Sequence, residues 1–219
     1  MGADSKGGGP AHPPFLFHQK GVEPLTGLII AGGKSRRLGI DKRFLEIGGR
    51  PCIQRVIDAY QGLFKEILIV ADATEPFMSL GVKVVVDLIP GRATLGGVYT
   101  GLHFASHDRV FAAASDMPWL SPAAIRVVLD QALSGDIVIP DLAGKLQPMH
   151  ATYAKTCLPV LRSMVEAGSL KMQDLCMSPE LRVHRISEAA FRDADPQLRS
   201  FFNINTPEDL AQAQKWIGT

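Results

Sequence analysis

Apolar positions along this chain follow two rhythms. Short unbroken runs, "TGLII" (26–30), "EILIV" (66–70), "VKVVV" (82–86), "VFAAA" (110–114) and "DIVIP" (136–140), have the length and β-branched content of buried strands. Between them lie segments with apolar residues at helical spacing: "PCIQRVIDAYQGLF" (51–64), "GVYTGLHFA" (97–105) and "SPAAIRVVLDQAL" (121–133). Ser121 and Pro122 are placed to be the N-cap and first residue of the last of these. Continuous apolar runs belong to strands covered on both faces. Alternating with helices, they predict an α/β domain: a doubly wound, mostly parallel sheet with helices on both faces.

The final third is less regular. "MHATY" (149–153) and "LRVHRI" (181–186) read as strands, and "CLPVLRSMVEAG" (157–168) and "SLKMQDLCM" (169–177) as helices. "NINTPEDLAQAQKWI" (203–217) reads as a strand end running into a helix, with Thr206 as N-cap, Pro207 at the first position and an acid at the third. Residues 1–23 are rich in glycine and proline without a period, which predicts a disordered tail before one domain at 24–219. The first half of that domain carries the anion-binding pattern described next.

After the first strand the chain reads Gly32-Gly33, followed by Lys34, Arg36, Arg37 and Lys42. Missing side chains let backbone N–H groups approach an anion, and a parallel sheet binds ligands outside the carboxyl ends of its strands. The turn therefore suits phosphate, although a solvated basic loop would have the same composition. The P-loop spacing fails because Leu28 stands where its first glycine belongs, and the dinucleotide spacing fails after Gly32. Asp116, after the run 110–114, is either a turn residue or an oxygen ligand for Mg²⁺. Asp87, after the run 82–86, either opens a loop or faces a ligand.

Composition adds mainly exclusions. With 219 residues, 46% hydrophobic and 21% charged, and a net charge of +1, nothing global points to nucleic acid or to a membrane surface. No apolar run reaches bilayer length, and no secretory h-region is evident near Asp4 and Lys6. Cys52, Cys157 and Cys176 have neither CxxC spacing nor an even framework, so they are expected to be buried thiols in the cytoplasm. The histidines show no ligand spacing, and no Ser/His/Asp order or acid pair suggests a catalytic base.

"IIAGGKSRRLGIDK" (29–42) resembles the signature L-A-G-G-x-S-x-R-M-G-x-D-K of the molybdenum cofactor guanylyltransferases. "VVVDLIPG…LGGVYTGL", "AAASDMPWL", "LQPMHATY" and "NINTPEDL" are similar to that family's later blocks, in the same order, so the likeness spans roughly residues 26 to 217. It implies a Rossmann-like nucleotidyltransferase fold and transfer of GMP from GTP to molybdenum-molybdopterin, with Mg²⁺ as cofactor. Further partners would be molybdoenzyme clients or cofactor-biosynthesis proteins. Ile30, Ala31, Gly32, Gly33, Lys42, Asp87, Gly96 and Gly97 would line the nucleotide. Arg37, Lys42 and Asp116 would be catalytic, with Asp116 on the metal, and Gln147, Asn203 and Asn205 would face the acceptor.

The chain departs from the family pattern at two places: Thr94 replaces a proline, and "IVADA" (69–73) lacks an asparagine, leaving Val70 and Asp72 there. Two other readings stay open. One is a related nucleotidyltransferase using CTP or a sugar-phosphate acceptor. The other is a non-catalytic carrier of nucleotide or cofactor.

Overall fold

The computed structural model describes residues 24–31 and 45–218. The tail 1–23 and most of the glycine turn lie outside the described residues. The chain forms β1 (Thr26–Ile30), then a small hairpin of β2 (Glu46–Ile47) and β3 (Arg50–Pro51), then α1 (Cys52–Tyr60). Next come β4 (Glu66–Ala71), β5 (Lys83–Val86), α2 (Ala93–Phe104), β6 (Arg109–Ala114) and α3 (Pro122–Leu129). Then follow β7 (Ile137–Leu142), β8 (Lys145–Leu146), β9 (His150–Ala154), α4 (Leu158–Glu166), α5 (Met172–Leu175), β10 (Val183–Ser187) and α6 (Pro207–Lys215).

The central sheet has the order β5-β4-β1-β6-β9-β7-β10, with β8 paired to β7. Strands β4, β5, β1 and β6 are parallel, and β10 is parallel to β7, but β9 runs antiparallel to both its neighbours. Ile30 lies level with Val70 of β4 and Ala114 of β6, so these three strands end together. The chain builds outward from β1 to β4 and β5, then returns to place β6 on the other side of β1. That reversal puts the topological switch point between β1 and β6.

Alternate strand residues feed two cores, as the two-residue period requires. Ile29, Ile69, Phe111 and Val138 pack with α1 and α3, through Val56, Ile57, Ile125 and Val128. Leu28, Ile30, Leu68, Val70 and Ala112 pack with α2 and α4, through Leu95, Val98, Leu102 and Leu161. Both faces are covered, which is why the strands read as unbroken apolar runs. A third cluster of Leu45, Ile47, Cys52, Ile204 and Ala213 seats α6 against the small hairpin.

Several expected boundaries move. Helix α2 begins at Ala93, ahead of the expected 97, because Gly96 and Gly97 lie in its first turns. Glycine costs about 1 kcal/mol in a helix, but here close packing requires it. A Cβ on Gly97 would come within 2.8 Å of the Ile30 side chain, and one on Gly101 within 2.3 Å of Leu28. Helix α3 starts after Ser121 as expected, yet that serine makes no side-chain cap; its backbone N–H donates to Ser200 Oγ at 2.9 Å. The expected helix 169–177 shrinks to the single turn α5, and residues 203–205 form no strand. The α6 capping box is present: the Asp209 N–H donates to Thr206 Oγ1 at 3.2 Å, and the Thr206 N–H donates to Asp209 Oδ2 at 2.9 Å. The three cysteines are buried and free. Among the described residues no helix is long and apolar enough to cross a membrane.

Candidate active site

Parallel strands deliver their last residues to one edge of the sheet. Ala31 follows β1, Asp72 follows β4, Asp87 follows β5 and Asp116 lies two residues beyond β6. Gln147 precedes the antiparallel β9, which brings it to the same edge. Gly32, Gly33, Arg37 and Lys42 lie outside the described residues. The residues bordering them do not: Ala31 donates its N–H to the Val70 carbonyl at 2.8 Å, and the Ile30 carbonyl accepts from Ser115 N–H at 3.0 Å. Leu45, on the other border, packs with Ile204.

Asp116 is centred on the switch point. Its backbone carbonyl accepts from Ile204 N–H at 3.1 Å, which brings the segment of Asn203 and Asn205 to the β6 end. The Asn203 Oδ1 is buried and has no hydrogen-bond partner among the described residues. Leaving such an oxygen dry costs on the order of 1–3 kcal/mol, so it marks a place that a donor would fill. Asn205 is exposed, and its backbone N–H donates to Asp209 Oδ2 at 2.9 Å, inside the α6 cap. Gln147 turns back on its own hairpin, its Nε2 donating to the Lys145 carbonyl at 3.0 Å.

Cys52 also lies within reach of Asp116. Burial pushes its thiol up to about 12, and the Asp116 carboxylate adds to that rise. The thiol therefore stays protonated near neutrality. Among the described residues no three His, Cys, Asp or Glu side chains gather as a metal cage. A partly buried carboxylate at the carboxyl edge of the sheet fits a hard cation such as Mg²⁺, which keeps several waters and shares itself with phosphate oxygens. It fits zinc poorly, since zinc favours thiolate and imidazole sets.

Asp87 is tightly held. Its Oδ1 accepts from Thr100 Oγ1 at 2.6 Å and from the Ile89 N–H at 3.0 Å, while its own N–H donates to the Ala71 carbonyl at 2.9 Å. Gly96 abuts this carboxylate: a Cβ there would lie 3.1 Å from Asp87 Oδ2. Val70 is buried in the sheet, whereas Asp72 is exposed at the β4 end and is the polar side chain available there. His150 is not a base. Its ring is fully buried among Phe111, Phe191 and Phe201, and burial lowers its pKa to about 4. The Ala124 backbone and the Asp195 charge oppose that fall without cancelling it.

Sequence reasoning passed over Thr100, which reads as one more position inside an apolar helix, and Trp119, whose side chain packs against the third cluster beside Asp116. The only signal for Trp119 was its place three residues beyond that aspartate.

Comparison with known proteins agrees with this geometry. The sequence profile of the MobA-like NTP transferase domain matches residues 27–179. A probable molybdenum cofactor guanylyltransferase of Pelotomaculum thermopropionicum is 35% identical over 189 residues, covering 86% of this chain and 91% of that protein. A molybdenum cofactor guanylyltransferase of Desulfosudis oleivorans is 34% identical over 198 residues, covering 90% and 97%. Among solved structures, molybdopterin-guanine dinucleotide biosynthesis protein A from Archaeoglobus fulgidus superposes with a TM-score of 0.76 at 26% identity, over 87% of this chain and 97% of that one. The 2-C-methyl-D-erythritol 4-phosphate cytidylyltransferase from Thermus thermophilus shares the fold at a TM-score of 0.66 and 17% identity, over 88% and 98%. With its switch-point aspartate, its sheet order and relatives matched along nearly their whole length, this chain belongs to the MobA-like family of nucleotidyltransferases, alongside the molybdenum cofactor guanylyltransferases.

Proposed function

We propose that this protein transfers GMP from GTP to the terminal phosphate of molybdenum-molybdopterin, forming the guanine dinucleotide cofactor and releasing pyrophosphate. The observation that carries this reading is the 3.1 Å hydrogen bond from Ile204 N–H to the Asp116 carbonyl. It joins the aspartate on the nucleotide side to the Asn203 segment on the acceptor side, where a bond between two substrates has to form.

The acceptor phosphate is a monoester with a second pKa of about 6, so near neutrality it is mostly dianionic and already nucleophilic. One of its oxygens attacks the α-phosphorus of GTP; the new P–O–P link forms as the bond to the β-phosphate oxygen breaks. No general base is needed, which suits an edge where His150 is buried and neutral. What the chain supplies is placement and charge neutralisation. Asn203 orients the acceptor and Asp87 the nucleoside, while the first turn of α2 offers backbone N–H groups at the same edge. Arg37 and Lys42, from the glycine turn, neutralise the phosphates. Asp116 would hold Mg²⁺, which when bound would stabilise charge developing on the leaving pyrophosphate. The three free, buried thiols fit a reducing compartment, the cytoplasm.

Pyrophosphate release is to be measured with each of the four NTPs, with Mg²⁺ or EDTA, in the presence and absence of molybdenum cofactor. Release with GTP that requires both cofactor and Mg²⁺ supports the reading. Release with CTP alone moves the chain to cytidylyl transfer. GTP binding with no release under any condition leaves a carrier.

A further inference from the structure

Asp87 ends β5 as a partly buried carboxylate, and its two oxygens have different surroundings. Oδ1 is saturated by the Thr100 hydroxyl at 2.6 Å and the Ile89 N–H at 3.0 Å. The Thr100 Oγ1 also accepts from the Leu88 N–H at 3.0 Å. A hydroxyl has a single proton, and with a lone pair engaged by Leu88 that proton is directed at Asp87. Thr100 is itself fully buried on α2, and its β-branched side chain has few rotamers in a helix. One buried hydroxyl thus fixes both the Asp87 side chain and the backbone that leaves it.

The other oxygen, Oδ2, accepts no hydrogen bond among the described residues and lies over Gly96. A Cβ there would sit 3.1 Å from Oδ2 and 2.8 Å from the Ile89 carbonyl. Gly97 beside it rests on Ile30, the last residue of β1, so this oxygen stands near the end of the first strand. Small residues keep the space open and Thr100 sets the direction of the carboxylate.

We infer that Thr100 is a positioning residue for nucleotide recognition. Acting through Asp87, it aims Oδ2 at a hydroxyl or N–H donor of the bound nucleoside. The inference rests on the proposal that Asp87 belongs to the nucleotide site. The aspartate contacts the nucleotide; Thr100 does not.

The test uses the full chain, with GTP affinity by titration calorimetry and steady-state turnover as separate readouts. Thr100→Val keeps the shape and removes the hydroxyl; it is expected to weaken GTP binding and raise KM for GTP about tenfold, the worth of one hydrogen bond to a charged group, with kcat within about twofold. Thr100→Ser keeps the hydroxyl and is expected to stay within about twofold of the parent in GTP affinity. In an Asp87→Ala background, Thr100→Val is expected to add nothing further, since its route to the nucleotide is gone. Equal losses from the Ser and Val variants, or a Val effect that persists without Asp87, would show a packing role and overturn the inference. Normal GTP affinity in Asp87→Ala overturns it as well. Parent protein with no GTP affinity overturns the functional reading itself, and is distinguishable because no variant is needed to see it.

Discussion

The two edges of the central sheet use their polar side chains in opposite ways. At the amino edge, Thr26 and Glu66 are register partners at the starts of β1 and β4. The Thr26 hydroxyl donates to Glu66 Oε2 at 2.5 Å, and having given up its proton it accepts from His107 Nδ1 at 3.0 Å. Ser106 donates to Glu66 through its N–H at 2.9 Å and its hydroxyl at 2.8 Å, and Lys83 lies 3.5 Å away. Every oxygen there has partners from this chain. At the carboxyl edge, Asp72 is exposed, the Asn203 Oδ1 has no partner among the described residues, and Asp87 Oδ2 faces a glycine. Polar groups that close on each other stabilise a fold; groups the fold leaves without partners can serve substrates.

Substitutions at the two edges should therefore separate stability from turnover. The largest effect is expected for Asp116→Ala, which should cut pyrophosphate release by about a thousandfold or more. Its melting temperature should stay within roughly 2 °C of the parent. Near-normal Mg²⁺-dependent turnover in that variant would remove Asp116 from the mechanism.

Glu66→Gln should do the reverse, costing about 2 kcal/mol of stability while the folded protein keeps its turnover. In this size range that corresponds to a fall of roughly 4–8 °C in Tm. The pH dependence sharpens the point. Burial would raise the Glu66 pKa, but the hydrogen bonds from Thr26 and Ser106 and the Lys83 charge outweigh it and bring it from 4.5 to about 2. A depressed carboxylate contributes stability that is fully present above its unfolded pKa and is lost as pH falls through the folded one. The gap between parent and Glu66→Gln, measured by urea unfolding, should therefore be widest above about pH 5 and close as pH falls toward about 2. A constant gap would mean that the network works by packing alone.

Asn203→Ala is expected to raise KM for molybdenum cofactor about tenfold and KM for GTP much less. Equal effects on both substrates would place Asn203 on the nucleotide side. The smallest effect concerns the β7–β8 hairpin, whose two turn residues, Ala143 at φ 50 and Gly144 at φ 85, both carry positive φ. Such turns favour Asn or Gly, so Ala143→Gly should gain up to about 1 kcal/mol in urea unfolding with no change in turnover. A loss of turnover there would show that strain at the carboxyl edge serves the reaction.

Much of this was legible in the residues. The runs 26–30, 66–70 and 110–114 name their strands to within a residue, because burial on both faces demands unbroken apolar side chains. The Thr206–Asp209 cap was readable because all its atoms lie within one turn. Helix α2 was read as starting too late, because glycine signals a break locally while Ile30 and Leu28, far away in sequence, demand it for contact. Asp116 was legible as a strand-end acid. That Ile204, eighty-eight positions later, would bond to its carbonyl was not.

The sequence by itself determined most of the strands and helices, the apolar runs that fill the core, and that a glycine-rich, basic segment follows the first strand, since these depend on composition and spacing along the chain. Only the tertiary structure decided that β9 enters antiparallel between β6 and β7, that one oxygen of Asp87 is locked by Thr100, and that the Asn203 segment meets Asp116. Strand direction and order depend on pairings between distant segments, and a side chain acquires a role only from what the fold places against it.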